Sequence, residues 1–232
     1  MSSDARDRIV ENPCKIYPFF SQCSSQRALS CMPPAAPHPS LIKALRTETA
    51  ELHVALEKRL PFFSEQLDLD FYRRLMAAYY GFYQPLEQRL HVLALVPTGL
   101  DQSLRVKLPV LRADLTALGL DDADIDALPI CQALPQIDSR AAALGVSYVL
   151  EGATLGGQIL RRRVAEQLGL DASSGAAFLN VYGELTGRRW RDFLQYLDDR
   201  NLGAAQTLEV TRAAKATFSH FEHWLDSQKV LL

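Results

Sequence analysis

Residues 148–160 read YVLEGATLGGQIL, and the reading of this stretch decides the fold. Its flanks have helical texture, yet Gly152, Gly156 and Gly157 stand in the middle. A glycine costs a helix about 1 kcal/mol relative to alanine, so three cost about 3 kcal/mol. Close packing or a function must offset that. At 3.6 residues per turn, Ala141, Gly145, Tyr148, Gly152, Gly156 and Ile159 fall along one face whose middle is almost bare. Another helix can approach such a face closely. A flat ligand can also lie directly on its main chain. Glu151 and the run Arg161, Arg162, Arg163 argue against burial in lipid.

The neighbouring segments are helical too. Ser40 is a candidate N-cap, and Leu41, Leu45, Thr49, Leu52, Leu56 and Leu60 follow at three- and four-residue steps. Pro61 stops that helix. Asp68 or Asp70 can cap the next, expected to run to Val96 with a kink or break at Pro85. A third helix is expected over 102–118, ending at Gly119. LGLDDADIDALP reads as a loop, and Cys131 follows in a short connection. The glycine-bearing helix is expected over 136–168, another over 173–200, and a last one over 204–228 with Phe218, Phe221 and Trp224 or Leu225 on one face. No alternating β pattern of useful length occurs. The expectation is an all-α, single-domain bundle over 40–232. Residues 1–39 stand apart: they hold six of the 12 prolines and many serines, and are expected to form a poorly structured N-terminal arm.

The totals exclude several functions. The formal net charge is −2, so no basic excess points to nucleic acid or to anionic lipid. No stretch of about 18 apolar residues suggests a membrane span. Of Cys14, Cys23, Cys31 and Cys131, the last alone lies in the helical part, and no C-x-x-C pair occurs. Neither a disulfide framework nor a zinc site is expected, and a cytoplasmic, reducing location is.

Histidines carry the remaining chemistry. No Glu stands three residues before any of the five, which excludes a ferritin-like di-iron bundle. His220 and His223 form an H-x-x-H pair without further ligands nearby. His53, in LRTETAELHVALEKRL, differs: it borders the apolar stripe of the first helix. There an imidazole can bond a core partner or ligate iron, and the residues alone leave both open.

Taken together, LRTETAELHVALEKRL and YVLEGATLGGQIL resemble the proximal and distal helices of the heme oxygenase family, in the family's order and about 100 residues apart. The likeness covers Ser40 to the C-terminus and is nearest to bacterial members, including those that supply bilin to bacterial phytochromes. It implies that heme is cofactor and substrate, cleaved with O₂ and external electrons to biliverdin, CO and ferrous iron. It implies His53 as the proximal iron ligand, and Gly152 and Gly156 as the catalytic distal glycines, with Gly157 following against heme. Arg46 and Arg188, or Arg189 beside it, match basic positions that pair with heme propionates. A ferredoxin or reductase is implied as electron donor, and an apo-bacteriophytochrome as bilin acceptor. One departure stands out: mammalian-type members carry an aspartate after the first distal glycine, and here that position is Ala153. A non-enzymatic heme carrier on the same fold is the alternative. A thiaminase-like helical enzyme is a third reading; it would need a pocket cysteine, and Cys131 falls in a connection.

Overall fold

A computed structural model describes residues 40–92, 105–200 and 202–232. The proline-rich arm expected over 1–39 lies outside the described residues. Seven α-helices and no strands occur among the described residues: α1 (Leu41–Arg59), α2 (Leu69–Val92), α3 (Leu108–Ala117), α4 (Asp122–Asp126), α5 (Arg140–Leu168), α6 (Thr186–Asp198) and α7 (Ala204–Ser227). The all-α expectation is met.

Local signals explain most boundaries. Ser40 caps α1, its hydroxyl accepting from Lys43 N, and the chain turns extended at Leu60 before Pro61. Ser139 caps α5 in the same way, and Gly169 ends it in the left-handed conformation at φ 70°. Asp68 caps α2 by accepting from Phe71 N at 2.7 Å.

Three expectations need correction. First, α2 runs unbroken through Pro85. Proline removes the N–H that would have bonded the Gly81 carbonyl. That carbonyl instead accepts from Cys131 N at 2.9 Å. Gly81 permits the approach, because a Cβ there would collide with the Pro129 carbonyl. Second, the supposed loop after Gly119 holds the short helix α4, secured by reciprocal capping between Asp121 and Asp124. Third, 173–200 is not one helix. Two short 3₁₀ turns, Phe178–Asn180 and Gly183–Leu185, precede α6. Asp114 of α3 holds the first, its carboxylate accepting from Ala177 N at 2.9 Å and Phe178 N at 2.7 Å.

The expected stripe of α1 is the inward face: Leu41, Leu45, Thr49 and Leu56 are buried. One large core gathers α2, α3, the middle of α5 and the end of α7 around Tyr72, Phe82, Leu86 and Leu225. A second gathers the first halves of α1 and α5 with α6 around Leu45, Tyr148, Trp190 and Phe193, and Phe218 borders both. Helix α7 is the central strut, packed against α1, α2 and α5. Its crossing with α5 is close because position 145 lacks a side chain; a Cβ there would run into the Val210 carbonyl and Ala213. Close helix approach, one of the two readings of the bare face, therefore holds at Gly145.

Candidate functional site

The site lies where α1 and α5 run alongside each other without packing together. At one end Tyr148 of α5 hydrogen-bonds the Thr49 side chain and lies near Arg46 on α1. Burial raises the Tyr148 phenol above its usual range, against the opposing influence of Arg46 and Thr49. At the other end Gln167 of α5 donates to the carbonyls of Ser64 and Leu67, both at 2.9 Å, just beyond α1. The Arg163 guanidinium lies 5.7 Å from the Phe63 ring there. Both helices therefore run the same way, meeting early and again late. Residues 148 and 167 are about 28 Å apart along a helix rising 1.5 Å per residue. Over that span α1 and α5 are not a closely packed pair, although each packs on α6 and α7.

Into this span the sequence places its two candidate features. His53 is one turn past Thr49, and Gly152 is one turn past Tyr148. The first half of the bare face of α5, Ala141, Gly145 and Tyr148, is buried, whereas Gly152, Gly156 and Ile159 remain partly accessible. Ala153 is exposed. At Gly152 a Cβ would have ordinary room, meeting the Trp190 ring at 3.6 Å. Gly157 differs: it is buried, and a Cβ there would overlap the Leu179 carbonyl. Packing against the 178–180 turn alone requires that glycine.

His53 keeps 28% of its side chain exposed. The Phe218 ring meets it edge-on at 5.8 Å. Burial lowers its pKa, favouring the neutral imidazole. One turn on, Glu57 Oε1 stands 3.5 Å from His53 Nε2. Burial pushes the Glu57 carboxyl up to about 7. With the imidazole favoured in its neutral form and the carboxyl titrating at about 7, the pair is not a full ion pair at neutral pH. The sequence reading missed Glu57, although its i, i+4 spacing from His53 was available.

The basic candidates separate. Arg46 is half-buried beside Tyr148, at the end of the span. Arg188 is 74% exposed, 3.9 Å from Asp192, opposite the buried face of α6 formed by Thr186, Trp190 and Phe193. Arg189 is half-buried, its guanidinium 4.3 Å above the Tyr182 ring. The H-x-x-H pair is engaged otherwise: His220 Nδ1 meets the Ala133 carbonyl at 2.7 Å and His223 Nδ1 the Ser219 carbonyl at 2.6 Å. Among the described residues no cluster of His, Cys, Asp and Glu could hold a metal ion by itself, and no helix is long and apolar enough to cross a membrane.

Comparison with known proteins places this arrangement. The heme oxygenase family model matches residues 39–227. The heme oxygenase of Xanthomonas campestris pv. campestris is 28% identical over 166 residues, 70% of this chain and 93% of that relative. Heme oxygenase PigA of Pseudomonas aeruginosa is 30% identical over 181 residues, covering 77% and 87%. Among solved structures, heme oxygenase from Leptospira interrogans superimposes with a TM-score of 0.68 at 21% identity, over 82% of this chain and all of that one. Heme oxygenase-1 from the cyanobacterium Synechocystis, in complex with heme, gives 0.63 at 17% identity, over 82% and 92%. The chain belongs to the heme oxygenase family. Its activity is the oxidative cleavage of heme to biliverdin, with heme as both prosthetic group and substrate.

Partly accessible Gly152 and buried Gly157 should respond differently to a methyl group. Gly157→Ala should lower the unfolding free energy of the heme-free protein by about 1–3 kcal/mol, through overpacking. Gly152→Ala should leave it unchanged or raise it by up to about 1 kcal/mol, as alanine favours the helix. Urea titration followed by circular dichroism measures both; equal effects would contradict the assignment.

Proposed function

We propose that His53 is the axial ligand to heme iron and that the main chain at Gly152 and Gly156 forms the opposite wall of the heme slot. One observation carries this reading: α5 is tied to α1 before, and to the segment just beyond α1 after, a span in which α1 carries His53 and α5 its barest face. The partial accessibility of His53 and of Gly152 fits a flat ligand entering from the side.

Bound heme supplies the redox-active iron and also the ring that is oxidised. The chain's residues bind, orient and shield it. His53 offers a ring-nitrogen lone pair, since burial disfavours its protonated form. Glu57, one turn away, is suited to hold the other ring nitrogen and fix the ring plane, as partners of metal-bound histidines do. Gly152 and Gly156 keep the far side open and bring main-chain atoms near, while Ala153 contributes a methyl group and no acid. Arg46, at the Tyr148 end, is the candidate to hold a heme carboxylate bidentately; Arg188, exposed opposite the buried face of α6, would have to swing round from solvent to reach one. Gly157 supports the wall from behind. These charges govern how heme is rotated in its plane, and hence which ring position is presented for cleavage.

The family reaction uses O₂ and electrons from a reductase partner. We assign that role to a ferredoxin or flavin reductase, place the protein in the cytoplasm in keeping with the free thiol of Cys131, and take an apo-bacteriophytochrome as a candidate bilin acceptor. Mixing turnover product with such an apoprotein should yield its covalent bilin adduct faster than free biliverdin does; equal rates would remove that partner.

His53→Ala should cut biliverdin formation at least 100-fold in aerobic turnover with an electron donor, an effect on the scale of losing a metal ligand or its orientation. Bilin absorbance measures it. Parent-like production by the variant would refute the ligand assignment.

A further inference from the structure

Immediately before Gly152 lies a buried charge cluster that the slot itself does not use. Glu151 and Lys107 side chains are 4% and 2% exposed. The Glu151 carboxylate accepts from Lys107 Nζ at 2.7 Å, from the Tyr182 hydroxyl at 2.8 Å and from the Arg105 guanidinium. Lys107 is itself fixed: its Nζ also donates to the Arg105 carbonyl at 2.9 Å, and its backbone N donates to Glu87 Oε1 of α2 at 2.9 Å. Three donors from two separate segments thus converge on one carboxylate of α5. Burial raises the Tyr182 phenol well above its usual range, and the adjacent Glu151 acts in the same direction, so the hydroxyl remains a donor.

The glycine segment is held at its other end as well. Gln158 Nε2 donates to Asn180 Oδ1 at 2.6 Å, and Gly157 sits on the Leu179 carbonyl. Residues 152–156 are therefore suspended between an ionic anchor and an amide anchor. A helix rich in glycine is soft, because its backbone has more conformations available. Apolar side chains of similar volume would stabilise the fold as well as a buried ion pair does. What directional hydrogen bonds add is a defined position.

We propose that Glu151 is a positioning residue: by holding α5 to the 105–107 segment and to Tyr182, it sets where the Gly152 main chain stands over the heme slot. This rests on the slot reading given above, and its role is exerted through residue 152 rather than by contact with heme.

The test compares the parent with Glu151→Gln and with the apolar pair Lys107→Met/Glu151→Leu, the latter built to keep the volume filled. Hydrogen exchange of residues 150–160 is followed in the heme-free proteins, and heme affinity and biliverdin formation in the loaded ones. The apolar pair leaves Arg105 and the Tyr182 hydroxyl without the carboxylate, so its unfolding midpoint should fall, and exchange at 152–157 should quicken about tenfold or more beyond what that global loss accounts for. Heme affinity should stay within about threefold, whereas biliverdin formation should fall by up to about 100-fold, as expected from a displaced reacting wall. Glu151→Gln should move the same readouts in the same direction by less, and it serves alone if the pair does not fold. Parent-like exchange at 152–157 together with parent-like turnover would overturn the proposal. Should heme prove to be bound away from the slot, the exchange measurement still decides the anchor, and the functional reading falls separately.

Discussion

One constraint shapes the structure: α5 is tied to α1 at Tyr148–Thr49 and to the segment just beyond α1 at Gln167–Ser64, and between these ties the two helices are not a closely packed pair. In the proposed reading, heme occupies that span. Helix packing normally removes such gaps, because interiors are as dense as organic crystals. Here α1 and α5 each pack on α6 and α7 instead. Trp190 lies against Gly152 of α5, and Phe218 meets His53 of α1. The proposed heme-contacting residues, His53 and Gly152, each stand one turn beyond the Thr49–Tyr148 contact.

The glycines of α5 divide the work. Gly145 serves the α7 crossing, Gly157 serves the 178–180 turn, and at Gly152 a methyl group would meet the Trp190 ring at ordinary contact distance. The about 3 kcal/mol that glycines at 152, 156 and 157 withdraw from the helix is thus offset by close packing at Gly157, as at Gly145, while packing does not require the glycine at 152. Of the two readings of the bare face, close packing holds at Gly145, and the ligand surface at Gly152 and Gly156 is the proposal.

Much of this was legible in the sequence. The apolar stripe of α1, the Ser40 cap and the glycine-bearing face all follow from periodicity and local hydrogen bonding. Apart from α4, whose Asp121–Asp124 capping box is local, the misses have a common cause: each depended on a partner distant in sequence. Pro85 stays helical because Cys131 meets the freed Gly81 carbonyl. The turn at 178–180 exists because Asp114 holds its amides. Glu151 finds Lys107 and Tyr182 across 44 and 31 residues. No local pattern encodes such pairings. Glu57 was the exception, a local partner of His53 that spacing alone could have identified.

The account stands on where iron sits. A crystal structure of the protein loaded with ferric heme is the most direct measurement. The account predicts iron bonded to a ring nitrogen of His53, the porphyrin between α1 and α5, and the main chain of residues 152–156 across its other face. Iron on another side chain, or heme outside that space with Trp190 still against Gly152, would contradict it.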